Sequence, residues 1–335
     1  MPSLEQRYND AFRGWPVRPH DRQHPVRGSF LDPRPDPRVG AIYHTGVDIA
    51  VRDDRPEPRA PRDRTHRVYA IEGGVVEHAT PAGVCGNVRV GHFGYGHVDA
   101  RVSIGDRVRA GQPIGWTCRD WWHVHLTEWA VEPGGRRLLV NPLRPAGKLK
   151  PFVDTAPPDI DDIRFYTPAE PPWIRRVGNA ARLPQAGRRL DRTRLAGIVD
   201  VRVRVSDPQS FVGWFRDIPA LAAPHHPYRI GLLLVDRASG RVVLRRTVFL
   251  SLTAPSFAAG QHYAPGTAQN LSAKACLARP EAGCDGVYWF RLFQRPYWNT
   301  RRLRNGRYLL VVRAWDAVGN RARRDVPIAI SNPHL

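Results

Sequence analysis

The chain has 335 residues, 42% of them hydrophobic, with a full set of aromatics. That is enough to bury two ordinary domain cores, and it excludes a disordered chain. No run of about 18 apolar residues occurs, which excludes a membrane-spanning helix. The formal net charge of +20 is carried by 51 basic residues, all Arg except Lys148, Lys150 and Lys274; because the Arg is dispersed rather than clustered, a specific nucleic-acid stripe is not expected.

In chain order, Met1–Tyr8 lacks the apolar core of a secretory signal. Export by another route, or a start downstream of a signal or anchor, is the expectation. The first 65 residues read as loop-rich, with Pro-heavy stretches at Pro33–Pro37 and Arg55–Pro61. From Val68 short β-like runs separated by Gly follow: Val68–Ile71, Val75–His78, Asn87–Val90, Tyr95–Val98, Val108–Ala110 and Val124–Trp129. Strands this short and closely spaced predict an all-β sheet or barrel. Residues 151–194 are rich in Pro, Asp and Arg and read as a linker and docking segment. Beyond them, Val199, Val201, Val203 and Val205 alternate with Asp200, Arg202, Arg204 and Ser206, the period of a half-buried strand. Further runs at Tyr228–Val235, Val242–Phe249, Gly306–Trp315 and Val326–Ile330 predict a β-sandwich over 195–335. The expected division is therefore 1–150, with a core near 25–145, then 151–194, then 195–335.

Four cysteines pair by region, Cys85 with Cys118 and Cys276 with Cys284. Two local disulfides are the simplest reading and favour an oxidising, extracytoplasmic setting; buried free thiols are the alternative. No C-x-x-C spacing occurs, so a Cys-based zinc site is not expected.

Two short patterns carry metal chemistry. His44-Thr45-Gly46-Val47-Asp48 would place His44 and Asp48 on one face of an extended strand, with Gly46 leaving space between them. His123-Val124-His125 would place two imidazoles on one face, suited to one ligand and one catalytic neighbour. Each is expected about once or less by chance in a chain of this composition. His97, in Tyr95-Gly96-His97-Val98, gains meaning only in combination with them. His225-His226, in a Pro-flanked loop, has no third ligand nearby. Asp316 and Asn320 read as turn formers.

The ordered set is Pro25–Phe30, His44-x-x-x-Asp48, Val68–Val76, Gly86-Asn87-Val88, Tyr95–Val98, Gly105–Gly115, His123-x-His125 and Asn141-Pro142-Leu143. Over about residues 25–145 it resembles the lysostaphin/LytM-type zinc metallopeptidase family. The resemblance implies a lysostaphin-like antiparallel β-sheet peptidase domain binding one Zn2+ through His44, Asp48 and His125. His97 and His123 would be the catalytic histidines, and peptide bonds of peptidoglycan the substrate. Three N/O ligands leave a fourth position for a water whose pKa zinc lowers to about 7. The chain departs from the family at Val98, at Cys118–Trp122 before the His pair, at Thr127 in place of an acidic residue, and in an insertion near Asp53–Thr65. None of these removes a ligand. Leu303–Asn320 resembles the last hairpin of bacterial Ig-like or fibronectin-type modules, which implies an Ig-like accessory sandwich.

The leading expectation is thus a cell-wall zinc endopeptidase, secreted or held in the cell envelope, with anionic wall polymers as possible further partners. The competing one is a non-catalytic wall-binding or hydrolase-activating protein that keeps the fold. Charge-driven nucleic-acid binding is the third and lacks any recognisable module.

Overall fold

The computed structural model describes residues 14–175, 181–210, 224–269 and 286–333. Strands make up 47% of it and no α-helix occurs among the described residues, so the fold is all-β. Among the described residues no helix is long and apolar enough to cross a membrane.

The N-terminal strands are β1 (Val26–Gly28), β2 (Pro33–Asp36), β3 (Gly40–Tyr43), β4 (Val47–Ala50), β5 (Arg64–Tyr69), β6 (Gly74–Ala79), β7 (Cys85–Val90), β8 (Phe93–Ala100), β9 (Arg107–Val108), β10 (Pro113–Cys118), β11 (His123–Val131) and β12 (Arg137–Val140). Ten of them form one sheet along the path β1-β4-β11-β8-β7-β6-β9, with β10 bridging β8 and β5 and β12 flanking β11; β2 and β3 form a separate hairpin. All these ladders are antiparallel. Strand β10 has no counterpart among the expected runs, because Pro113 and Gly115 break its apolar pattern. A disulfide joins Cys85 on β7 to Cys118 on β10 across a separation of 33 residues. Closing a loop of that length stabilises by about 4 kcal/mol in the chain-entropy account. Cys118→Ser should therefore lower the unfolding free energy by about that amount in urea titration. Cys276 and Cys284 lie outside the described residues.

The rest comprises β13 (Asp159–Tyr166), β14 (Ile174–Arg175), β15 (Ala181–Arg182), β16 (Ile198–Ser206), β17 (Arg229–Asp236), β18 (Val242–Leu250), β19 (Trp289–Arg291), β20 (Trp298–Asn299), β21 (Gly306–Trp315) and β22 (Arg321–Ile330). β16 pairs with β13, β19 and β20, and a second four-stranded sheet runs β18-β17-β21-β22. Residues 151–194, expected as linker and docking segment, contain β13, which pairs with β16 from Asp159 to Tyr166. The valines of β16 are fully buried as the alternation predicts, but Asp200 and Arg202 are buried too. The half-buried expectation fails there because Arg202 and Arg291 both bond Asp200, at 2.8 Å each. Arg202 also lies over the Tyr166 ring at 4.1 Å. Paired and hydrogen-bonded in this way, the charges are tolerated inside.

The two halves share one continuous apolar core that includes Phe30 and Val47 together with Phe249 and Phe290. Polar groups of the second half also grip the main chain of residues 26–31. Gln209 accepts from Val26 N at 2.9 Å and donates to Val26 O at 2.8 Å. His225 donates to Val26 O, His226 and Ser251 to Phe30 O, and Tyr263 to Leu31 O. The histidine pair at 225–226 therefore serves as a clamp on backbone carbonyls.

Candidate metal centre

Strand β11 lies between β4 and β8, with His125 opposite Asp48 on one side and Gly96 on the other. Directly opposed residues project to the same face, so this register alone brings Asp48 and His125 together. Contrary to the expectation of one extended strand carrying both, His44 does not share a strand with Asp48: it follows β3, and β4 begins at Val47. Its backbone is held instead by N–H donation to Asp32 O and by its own carbonyl, which accepts from Leu31 N. Gly46 fills the break because a Cβ there would come 2.3 Å from Leu126 O and 2.9 Å from His125 Nε2.

His44 Nε2, Asp48 Oδ1 and His125 Nδ1 form a triangle with edges of 3.1, 3.0 and 2.9 Å. His123 Nε2 lies 3.3 Å from the same Asp48 oxygen. The hydrogen-bond partners on the far side of each ring fix the tautomers. His44 Nδ1 donates to Ser29 O at 2.8 Å, so its Nε2 presents a lone pair to the triangle. His125 Nε2 lies 3.1 Å from the Thr127 hydroxyl, which can accept its proton and leave Nδ1 bare. His123 Nδ1 faces both the Trp121 carbonyl, which only accepts, and Arg27 Nη1, which only donates, at 3.1 Å. The carbonyl is the nearer, and with Arg27 donating to that same carbonyl at 2.9 Å the Nδ1–H tautomer leaves Nε2 bare. Lone pairs converging at about 3 Å repel one another unless a cation lies among them. Zinc, with N/O bonds of about 2.0–2.1 Å, sets tetrahedral ligand edges of about 3.3 Å. The donor set therefore fits that ion with a small outward adjustment.

The electrostatics agree. Burial lowers the pKa of His44, helped by Arg34, and lowers that of His123 well below its usual value, helped by Arg27 and His97. Both rings are thus neutral. Burial alone would raise Asp48, but the His123, His44 and His125 rings hold its carboxyl well below the ordinary range insofar as they turn protonated nitrogens to it, a part that a cation among bare nitrogens would take over. Arg34 Nη2 takes the other carboxylate oxygen at 3.2 Å, so that Oδ1 alone faces the histidines. Gly28 allows this approach, since a Cβ there would sit 2.3 Å from Asp48 Oδ2 and 2.9 Å from the Arg34 guanidinium.

His97 reaches the same face by a different device. On a regular strand it would point away from its neighbour Gly96. Here Gly86 pairs with Val98 and Asn87 with Gly96, so His97 is the extra residue of a bulge, with φ of 62°. At the same point β8 exchanges β11 for β10 as its partner. The bulge re-aims the side chain. Its ring lies 4.6 Å from that of His123 and 6.3 Å from that of His125. Burial pushes its pKa down to about 4.

All five expected site residues thus come together. Arg27, Arg34 and Thr127 also belong to the site, and no sequence pattern marks them as such; Thr127 stands where an acidic partner of the last histidine was expected, while Glu128 turns to the opposite face and bonds Arg144 at 2.6 Å.

A second convergence lies at the junction of the two halves. Carboxylate oxygens of Asp154, Asp207 and Asp316 fall within 4.8 Å of one another. Asp316 is committed to the turn before β22, accepting from the main-chain N–H groups of Val318, Gly319 and Asn320, as a turn former should. Asp207 Oδ1 is buried with no hydrogen-bond partner. Burial, and then the charges of Asp316 and Asp154, push the Asp207 carboxyl up to about 9.

No protein-family model, curated protein or solved structure matches the chain.

Proposed function

We propose that the chain is a zinc-dependent endopeptidase that hydrolyses peptide bonds in bacterial peptidoglycan, built on a lysostaphin-like sheet followed by an Ig-like sandwich. The observation that carries this reading is the convergence of three bare donor atoms with two further neutral histidines on one sheet face. Zinc held by His44, Asp48 and His125 would supply Lewis acidity and a water of lowered pKa. His123 Nε2, bare and beside Asp48, accepts the proton of the attacking water, while the Trp121 carbonyl, itself held by Arg27, holds the far side of its ring. His97, on the other side of His123, offers an imidazole N–H to the substrate oxygen as charge develops there. The Cys85–Cys118 disulfide supports an extracytoplasmic setting, where such a substrate lies.

Incubating the pure protein with peptidoglycan and identifying released muropeptides by mass spectrometry tests the reading. Release should stop on chelation, return with zinc, and be absent from His125→Ala. Release that survives both treatments overturns it. One bound zinc per chain without any release would instead favour a wall-binding or hydrolase-activating role.

A further inference from the structure

The loop between β10 and β11 carries an unusual local cost. Asp120 and Trp122 both adopt left-handed backbone conformations, with φ of 74° and 60°. Such conformations are strained for non-glycine residues, and persist only where the surroundings impose them. The surroundings here are explicit. The buried Asp53 carboxylate accepts from Trp122 N and from the Thr65 hydroxyl, at 2.8 Å each. Val51 N donates to Trp122 O at 3.0 Å, and Arg119 N to Asp63 O at 3.0 Å.

Between the two strained residues stands Trp121. Its ring stacks on His97 with centroids 3.7 Å apart and planes 15° from parallel. Its edge approaches the His123 ring, with centroids 6.1 Å apart and planes at 74°. The side chain remains 39% exposed, so its outer side is open to solvent at the rim of the site. Strain, anchoring and stacking thus meet at one residue that touches none of the three metal-ligand atoms.

We infer that Trp121 is a positioning residue: its indole holds the His97 ring in the orientation from which that histidine meets substrate. The left-handed bulge at residue 97 turns the imidazole onto the site face but gives it no hydrogen-bonded anchor among the contacts described; the stacked indole supplies the missing restraint. This rests on the proposed catalytic role of His97, but the stacking itself is testable without it.

The test uses zinc-loaded full-length protein with 13C-labelled histidine, as wild type, Trp121→Ala and Trp121→Phe. In the wild type the ring current of the stacked indole should shift the His97 Hε1 resonance upfield. Trp121→Ala should remove that shift, and Trp121→Phe should retain part of it. Zinc content should stay at one per chain in all three, since no ligand is touched. Turnover should fall about 100-fold in Trp121→Ala, mainly in kcat, as expected for a misplaced catalytic group. Trp121→Phe should recover at least a tenth of wild-type turnover, about a tenfold rescue. An unshifted His97 resonance in Trp121→Ala, or equal turnover in alanine and phenylalanine variants, overturns the inference. If wild type shows no turnover while the resonance moves as expected, the endopeptidase reading fails and the positioning contact stands.

Discussion

Asp48→Asn should abolish tight zinc binding while leaving both four-stranded sheets and the ten-stranded sheet folded. Asp48 supplies the one carboxylate oxygen of the triangle, and it lies within 3.0–3.3 Å of three imidazole nitrogens. Asparagine keeps the shape but removes the negative charge, leaving Arg34 directed at a neutral amide beside a dication. A loss of at least about 1000-fold in zinc affinity is expected, well beyond the 10–100-fold typical of a partner outside the ligand set. Arg34→Leu, which only frees Asp48 to rotate, should fall in that milder range of about 10–100-fold. Competition against a chromophoric chelator measures both. Equal affinities for wild type and Asp48→Asn would remove Asp48 from the ligand set.

Asp207→Asn should stabilise the protein, and more so as pH rises. The folded state keeps the Asp207 proton to about pH 9, whereas the ordinary value is 3.8. Between those values the folded state binds the extra proton, so each increment of pH favours unfolding. Asparagine carries no such cost. The gap in stability should open above pH 4 and reach at least about 2 kcal/mol at neutral pH. His24, His66 and His262, each pushed by burial to about 4, act in the opposite sense: they lose stability as pH falls below 6.5. Comparing the variants by urea titration between pH 7 and 8.5 isolates Asp207. Coincident stability curves across that range would show that the carboxyl is not held protonated.

Much of the site was legible because its chemistry lies in short local patterns. His44-x-x-x-Asp48 and His123-x-His125 named residues that the fold brings together, and the β11 pattern placed the histidine pair on one face as expected. What was not legible depended on register. The face reached by His97 is set by a bulge against β7, which no property of Tyr95-Gly96-His97-Val98 discloses. Arg27 and Arg34 are two among many dispersed arginines, and only the approach of β1 to β4 selects the first and the β2–β3 hairpin the second. Charge likewise concealed β13: Asp159, Asp161, Asp162 and Arg164 masked the inward set of Ile160, Ile163 and Phe165. The alternation in β16 located a strand correctly but could not show that its second face, with Asp200 and Arg202, is also covered.

The clamp on residues 26–31 has a consequence for how the chain can vary. Segment 26–34 carries Arg27, Ser29 and Arg34, which orient His123, His44 and Asp48 in turn, yet its own main chain is fastened by Gln209, His225, His226, Ser251 and Tyr263. The two halves are therefore not interchangeable cassettes. A graft of residues 1–150 onto another partner would carry every ligand and lose the frame that aims them. Conversely, any ion bound at the triangle shares its binding energy with sheets far from it, because only the assembled chain holds the ligands in place.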